Sequence, residues 1–389
     1  MIHFLEIVTY TCIAFFVGFY LFYFVLCSIF YLRVKRRNVS FNLIINDYPK
    51  VSVIIPTYNE ATVIPTKIKN LQELNYPKDK FEVVFVDGGS TDGTADLIEE
   101  LAKESELSVK IVRQGVRKGF NNAVIEGFAQ TSGDIICITG AETEYDLKAL
   151  KVMVAEFNDP RIGAVTGKQK IKNILEGFSP KLEGAYRSLY DFIREAESSM
   201  DSPFDIKGEI SAARRDVVAK LVKNSYLSQK GCIDCCISFQ ARMDGYKTVY
   251  VPEATYSEHS PKTIKESFKQ QIRRAVTLME NMLAFKNMIF NKKFGTFGML
   301  IMPAHLLMLN ILPFILLIGS VGLILLAVLN PSNYLVLAFI CLILLATVLS
   351  KHVQAFLKTQ LVLIVATLKL LIGTETQRFE KISTTRLTY

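Results

Sequence analysis

Tryptophan is absent from the 389-residue chain, and histidine occurs only four times. Neither a second closely spaced cysteine pair nor neighbouring histidines accompany the cluster of Cys232, Cys235 and Cys236, which argues against a structural zinc site. The chain has no nucleic-acid-binding motif, internal repeat or low-complexity linker, so its net charge of +8 does not indicate a nucleic-acid partner. The seven scattered cysteines are typical of a reduced, cytosolic domain.

Charged residues are also absent from residues 7–32. About 26 residues rising about 1.5 Å each in a helix are long enough to cross a bilayer with some tilt. This stretch is too long for a cleavable signal peptide, and no basic segment precedes it. Basic residues follow at once, so the positive-inside rule places the N-terminus outside and the rest in the cytosol. We therefore predict an integral protein of the plasma membrane, with basic residues that contact anionic membrane lipids.

A second region without acidic residues, lysine or arginine lies near the C-terminus, at residues 299–329 and 334–350. Together with a mean hydropathy of +0.27, this predicts a transmembrane hairpin. Pro303 and Pro313 are expected to break its first limb. The segment after Lys351 is expected to be a surface helix rather than a third span, because the basic tail favours a cytosolic end.

The chain between these apolar ends alternates β-branched runs with helical patterns. The predicted strands are 51–55, 81–86, 110–113 and 135–139, and the predicted helices are 63–74, 94–104 and 121–131. This alternation predicts an α/β fold with a mostly parallel sheet that is covered by helices on both faces. Open sheets of this kind bind ligands at the carboxyl edge of their strands.

Polar residues follow the first two predicted strands directly. The first strand runs into Pro56, Tyr58 and Glu60, and the second runs into Asp87-Gly88-Gly89-Ser90. These strand ends resemble the nucleotide-sugar pocket of family 2 glycosyltransferases, which have the GT-A fold. The resemblance implies that these residues bind the donor, and that Asp87 accepts a hydrogen bond from the uracil ring of a UDP-sugar. The family usually has a second acid where this chain has Gly88.

The fourth predicted strand leads into Gly140-Ala141-Glu142, where family members usually show Asp-x-Asp. The resemblance implies that Glu142 holds a divalent cation, Mg or Mn, on the donor diphosphate, with His259 as a candidate second ligand. Such cations prefer hard oxygen ligands and neutralise a leaving diphosphate.

Arg117, Lys118 and Gly119 precede a predicted helix, and basic side chains and free amides at a helix start suit an anionic diphosphate, so Lys118 is a candidate donor-binding residue. Metal-poor catalysis, with the diphosphate held by basic side chains, is the alternative to the cation.

A further match covers Gly231-Cys232-Ile233-Asp234 and residues 242–254. In the family, an acid at the position of Asp234 heads a helix and is the general base. A carboxylate can accept the proton of an attacking hydroxyl, whereas a phosphate acceptor needs no base. Asp234 therefore favours a hydroxyl acceptor. The segment 208–215 resembles the family segment that closes over the acceptor.

Gln271, Arg273 and Arg274 resemble the family motif Gln-(Gln/Arg)-x-Arg-Trp, on a predicted amphipathic helix that should rest on the membrane surface. The resemblance implies that these residues bind the donor and that Arg273 reaches the departing diphosphate. In polymerising members the tryptophan forms a stacking floor for the acceptor sugar. Arg274 replaces it here, which argues against long-chain polymerisation.

The expected regions are an N-terminal transmembrane helix and linker (1–48), a cytosolic GT-A domain (49–262), an interface helix (263–297), and a C-terminal hairpin, interface helix and tail (298–389). This layout resembles hyaluronan-, chitin- and cellulose-synthase-like members. It implies an inverting glycosyltransferase that moves a sugar from a nucleotide sugar to a lipid or saccharide acceptor, for cell-surface polysaccharide or glycolipid synthesis. The alternatives are a single-sugar transferase acting on a polyprenyl or dolichyl phosphate or other lipid, and a catalytically weak nucleotide-sugar-binding subunit of a synthase complex. A homo-oligomer is also open.

Overall fold

The computed structural model describes residues 2–36, 47–373 and 385. Residues 37–46 of the predicted basic linker lie outside the described residues, as does most of the predicted basic tail. The described strands are β1 (Val51–Thr57), β2 (Phe81–Asp87), β3 (Ser108–Arg113), β4 (Ile135–Ile138), β5 (Glu144–Tyr145), β6 (Ile162–Ile171), β7 (Ser211–Arg214) and β8 (Lys247–Glu258). The described helices are α1 (Ile2–Arg36), α2 (Ile64–Glu73), α3 (Thr94–Lys103), α4 (Phe120–Ala129), α5 (Ala149–Ala155), α6 (Phe178–Met200), α7 (Arg215–Leu221), α8 (Ile233–Met243), α9 (Ile264–Ala284), α10 (Met302–Asn310), α11 (Leu312–Leu329), α12 (Tyr334–Leu349) and α13 (Lys351–Ile372).

The eight strands form one sheet in the order β3-β2-β1-β4-β7-β6-β8-β5. Neighbouring strands β1, β2, β3 and β4 run parallel, as do β6 and β8, whereas β7 is antiparallel to both of its neighbours. Thr57 at the end of β1 lies opposite Asp87 at the end of β2. The predicted mostly parallel sheet, with its polar strand ends side by side, is therefore confirmed.

Alternate residues of the central strands face opposite sides of the sheet, as the two-residue period of a strand requires. Ile54, Val84 and Val86 contribute to a buried core that also includes residues of α4, α8 and α9. Val53 and Phe85 contribute to a second buried core that includes residues of α2 and α5. Strands buried on both faces read as continuous apolar runs, which explains why the sequence made them conspicuous.

Helix α9 begins at a capping box. Thr263 Oγ1 accepts a hydrogen bond from the backbone N–H of Glu266, whose carboxylate accepts the Thr263 N–H in return. The helix does not lie apart from the rest of the fold, because Lys358 of α13 donates to Ser267 Oγ at 2.7 Å. Helix α9 thus joins the catalytic sheet to the C-terminal helices.

Three described helices are long and apolar enough to cross a membrane: residues 2–33 of α1, and the helices α11 and α13. Helix α12, the expected returning limb of the hairpin, has only 16 residues and falls short of that length. The structure thus differs from the expectation, since α13 qualifies in place of α12. Pro313 stands in the first turn of α11, where a missing N–H costs no hydrogen bond, and a turn at Ile311 separates α10 from α11 just before it. Pro303 does not break the first limb, because the helical residues 297–301 run directly into α10.

A buried polar cluster ties α1 to α6 and α10. Tyr23 donates to Glu197 Oε1, and His305 Nε2 lies 2.6 Å from the same oxygen. The backbone N–H of Phe204 donates to the other carboxylate oxygen of Glu197 at 2.8 Å, and the His305 ring stacks on Phe204. All four side chains are buried, so each depends on the others for its polar partners.

Candidate active site

A cavity of about 330 Å³ opens at the carboxyl edge of the parallel strands. It is large enough for a small-molecule ligand. Among its lining residues are these sequence-predicted site residues: Pro56, Tyr58, Glu60, Glu142, Asp234, His259, Gln271, Arg273 and Arg274. Nine residues from distant parts of the chain therefore meet in one place, which their positions in the sequence do not require.

Asp87 and Lys118 differ from the other predicted residues, because neither lines the cavity. The Asp87 carboxylate is buried and accepts hydrogen bonds from the backbone N–H groups of Gly89 and Ser90. It therefore holds the turn that presents Gly88 to the cavity. Lys118 Nζ lies 2.8 Å from Glu126 of α4, so in this structure the side chain pairs with the helix that follows it and does not line the cavity.

The neighbour of Lys118 takes its expected place. Arg117 lines the cavity and its guanidinium lies 4.2 Å from the centroid of the Tyr58 ring, within range of a cation–π interaction. Gly119 follows with φ +96°, a backbone conformation that glycine tolerates, and α4 begins at the next residue. The basic group at this helix start is therefore Arg117.

The turn after β4 explains how a single acid can stand where the family has two. A Cβ atom added to Gly140 would lie 2.5 Å from Glu142 Oε2, so the Glu142 carboxylate occupies the room that a side chain at position 140 would need. The longer glutamate thus folds back over the glycine. An oxygen ligand is present in this turn despite the loss of the first acid.

A buried lysine, Lys67, stabilises the turn after β4 through hydrogen bonds. Lys67 Nζ donates to the backbone oxygen and the hydroxyl of Thr143, at 2.9 and 3.0 Å, and to Thr139 Oγ1. Burial lowers the pKa of Lys67 to about 7, and the nearby carboxylates of Glu142 and Glu144 oppose that shift. Nothing in the local sequence pattern marked this lysine as part of the site.

A divalent cation fits this corner of the cavity with few protein ligands. Glu142 offers a carboxylate, and burial lowers the pKa of His259, which favours the neutral imidazole that ligates metals. In the described part of the chain, these two residues belong to no group of three or more closely spaced ligands. The donor diphosphate would have to supply further oxygens.

Asp234 stands in the first turn of α8 and is buried. Its Oδ1 accepts the backbone N–H of Cys235 at 2.8 Å and the thiol of Cys232. Burial raises the pKa of Asp234 to about 6, the hydrogen bond from Cys232 opposes the rise, and the charge of Glu209 adds to it. A carboxylate with a pKa near neutrality is suited to accept a proton.

Asp234 also brings the neighbouring cysteines into a small cluster. The sulfur atoms of Cys232 and Cys235 and a carboxylate oxygen of Asp234 lie within 4.8 Å of one another. The spacing of the cysteines alone did not reveal this third polar group. In the structure the Cys232 thiol is engaged as a hydrogen-bond donor to the carboxylate.

Helix α9 carries two of the predicted basic residues into the cavity. Arg274 Nη2 lies 2.8 Å from Glu209 Oε1. Where the family motif has tryptophan, this chain therefore has an arginine that forms an ion pair. Burial lowers the pKa of Arg273 to about 10, with a contribution from the adjacent charge of Arg274. Arg273 nevertheless remains charged at neutral pH, as a diphosphate ligand must.

Several lining residues were missed by the sequence analysis. Glu183 and Arg187 of α6 form an ion pair at 2.8 Å, and Gln271 Nε2 donates to the same carboxylate. The i,i+4 spacing of this pair is a visible signal, but it usually marks a solvated helix face. Glu258, whose pKa is raised by burial and then by Glu209, lies at the end of β8. Its position follows from the sheet order, which the sequence does not show.

The sheet and the cavity at its carboxyl edge have the arrangement of the GT-A fold. Residues 52–222 match the model of Glycosyl transferase family 2. The "Probable glycosyltransferase YdaM" of Bacillus subtilis (strain 168) is 26% identical over 63% of this chain and 59% of its own length. A poly-beta-1,6-N-acetyl-D-glucosamine synthase of Staphylococcus epidermidis is 26% identical over 65% of this chain and 61% of its own length. The chain spans about three fifths of these curated relatives.

One solved structure resembles nearly the whole chain. The mannosyltransferase PcManGT from Pyrobaculum calidifontis, in complex with GDP-Man and Mn2+, has a TM-score of 0.76 and 26% identity, over 94% of this chain and 99% of its own. The likeness includes the apolar helices at both ends, because the aligned region exceeds the matched family segment. The chain therefore has the GT-A fold, and its residues 52–222 are similar to Glycosyl transferase family 2.

Proposed function

We propose that the protein is an inverting glycosyltransferase that moves a sugar from a nucleotide sugar to a hydroxyl acceptor at the cytosolic face of the plasma membrane. The observation that carries this proposal is the single cavity that gathers Tyr58, Glu142, Asp234 and Arg273. The two ends of this cavity differ in chemistry. The turns that follow the strands can bind a nucleotide, and the buried carboxylate of Asp234 can accept the proton of an acceptor hydroxyl. The product belongs to cell-surface polysaccharide or glycolipid synthesis.

The geometry supports transfer in one displacement. Asp234 accepts the proton of the acceptor hydroxyl as that oxygen attacks the anomeric carbon on the face opposite the nucleotide. Arg273 stabilises the departing diphosphate through its guanidinium. Glu142 and His259 would hold a divalent cation, which would supply further positive charge beside the leaving diphosphate. The Mn2+ of the solved mannosyltransferase supports this cofactor.

The donor nucleotide has two supported candidates. The family resemblance favours UDP, although the Asp87 carboxylate is engaged by its own turn and does not line the cavity, whereas the solved relative carries GDP-Man. Gln114 Nε2 lines the cavity, has no hydrogen-bond partner among the described residues, and can donate to a base carbonyl. The test is a screen of UDP- and GDP-sugars by nucleotide release, with the full chain in lipid and added Mn2+. Release from no donor, with nucleotide binding retained, would instead identify a non-catalytic binding subunit.

The acceptor end of the cavity reaches the C-terminal helices. Leu309 of α10 and Val362 and Leu363 of α13 line the cavity together with Asp234. An apolar wall of this kind suits the chain of a lipid acceptor. It favours single transfer to a lipid-linked hydroxyl, in agreement with the absent tryptophan. A product ladder in the donor screen would favour polymer synthesis instead.

The transfer rate should depend on pH through Asp234. Because a general base works in its ionised form and the pKa of Asp234 is about 6, the rate should fall as the pH drops below 6. Nucleotide release between pH 5 and 8 measures this limb, in buffers of constant ionic strength. A rate that is flat across this range would remove Asp234 from the proton transfer.

Glu142→Ala should weaken the effect of Mn2+ on nucleotide binding by about tenfold or more, because the substitution removes the carboxylate ligand of the turn. Titration of UDP and GDP with and without the cation measures this difference. Glu144→Ala is the matched control, since Glu144 pairs with Lys172 and does not line the cavity. An unchanged cation response in Glu142→Ala would favour the metal-poor alternative.

A further inference from the structure

Lys207 is a buried lysine for which the described residues supply no counterion. The residue is 3% exposed and lines the cavity, and Nζ has no hydrogen-bond partner among the described residues. An ammonium group that is removed from water needs a partner or a shifted protonation equilibrium. Because Lys207 lines a ligand cavity and its Nζ has no partner among the described residues, a ligand in that cavity is the group expected to bind it.

The acids near Lys207 in the sequence already have other partners. Asp205 pairs with Arg194, and Glu209 pairs with Arg274. Arg187, another basic residue that lines the cavity, differs from Lys207 because it is paired with the carboxylate of Glu183. Lys207 is thus placed to bind an anion that enters the cavity.

The position of Lys207 relates it to the acceptor rather than to the nucleotide. The next residue, Gly208, lies so close to Asp234 that an added Cβ atom would overlap its carboxylate. The acceptor hydroxyl must approach this carboxylate, while the leaving nucleotide lies on the opposite face of the sugar. An anionic group beside Lys207 therefore belongs to the same side as the attacking hydroxyl.

We propose that Lys207 binds a phosphate group of the acceptor, and that the acceptor is a phosphorylated lipid whose sugar hydroxyl is the nucleophile. The phosphate is bound and does not react, which is consistent with a base at Asp234. Lysine is a point charge suited to phosphate, and Leu309, Val362 and Leu363 offer the apolar wall for the lipid chain. The inference rests on the proposed function and specifies its acceptor.

The test is binding of farnesyl diphosphate to the full chain in phospholipid nanodiscs, with farnesol as the probe that lacks phosphate. Lys207→Met should weaken the binding of farnesyl diphosphate about tenfold or more, because the loss of a hydrogen bond to a charged group has an effect of this size. It should leave farnesol, UDP and GDP unchanged. Lys207→Arg keeps the charge and should keep most of the affinity. Lys220→Met is the matched control, because Lys220 lies on the surface with Asp244.

Two results would contradict the proposal that Lys207 binds the acceptor phosphate. Equal farnesyl diphosphate affinity in the wild type and Lys207→Met would show that Lys207 binds no acceptor phosphate. Weaker UDP or GDP binding in Lys207→Met would assign the cation to the donor diphosphate instead. Lys207→Met should melt no lower than the wild type, since it removes a buried charge. Binding requires no turnover, so this test can fail while the donor screen succeeds, and the reverse also holds.

Discussion

Asp234→Asn should abolish sugar transfer while nucleotide binding remains. A positioned general base contributes about 10²–10⁴-fold to a rate, and an amide cannot take up the hydroxyl proton. Asparagine keeps the shape of the side chain and an oxygen that can accept the N–H of Cys235 and the thiol of Cys232. Nucleotide release and equilibrium binding of UDP and GDP measure the two effects separately.

Folding should not confound this experiment. Burial raises the folded-state pKa of Asp234 to about 6, above its ordinary value, so its contribution to stability is present at low pH and is lost as the pH rises through 6. Above that pH the ionised, buried carboxylate is a cost that asparagine removes. Asp234→Asn should therefore melt no lower than the wild type at pH 7.5. Parallel loss of transfer and nucleotide binding would make Asp234 a structural residue; Asp96→Asn on the exposed face of α3 is the control.

Gly208→Ala should reduce transfer almost as strongly as the loss of the base itself. The new Cβ atom would overlap the Asp234 carboxylate, so the carboxylate must move away from its position at the head of α8. Displacement of a catalytic group by about 1 Å can cost on the order of 10²-fold in rate. The expected result is a lower kcat for nucleotide release in the presence of acceptor, with unchanged affinity for the nucleotide.

The steric explanation has its own control. Gly18→Ala adds the same methyl group where nothing lies within 4 Å and the φ angle is not positive, so its activity should equal that of the wild type. A Gly208→Ala variant with full activity would show that the Asp234 carboxylate can work from another rotamer. A variant that also loses nucleotide binding would show that the segment after Lys207 supports the donor site.

The sequence was sufficient for the fold because local and long-range signals agreed. Residues 51–55 and 81–86 are rich in β-branched residues and have polar turns at their ends, and the register that pairs Thr57 with Asp87 follows from two parallel strands of equal length. The position of Asp234 in the cavity was also predictable, because the residue follows a recognisable turn and stands in the first turn of a helix. Each of these features is contiguous in the chain.

The rest of the site could not be predicted because it depends on which elements meet across the cavity. Lys207 reads as an ordinary surface lysine, and only the structure shows that its Nζ is buried without a partner. Arg117 and Lys118 were both candidates for the diphosphate, and only the structure shows that Arg117 lines the cavity while Lys118 does not, because neighbouring residues point in different directions on leaving a turn. The division of the C-terminal apolar segment between α12 and α13 depends on where the helices end, which composition does not specify.

The buried cluster of Tyr23, Glu197 and His305 has a consequence for anyone who trims this enzyme to a soluble fragment. Removing α1 would leave the Glu197 carboxylate without one of its donors, inside the same helix α6 that presents Glu183 and Arg187 to the substrate cavity. The anchor is thus a structural part of the catalytic unit and not a detachable tether. Expression designs that retain it, in detergent or lipid, should recover a competent enzyme where truncations yield an unstable one.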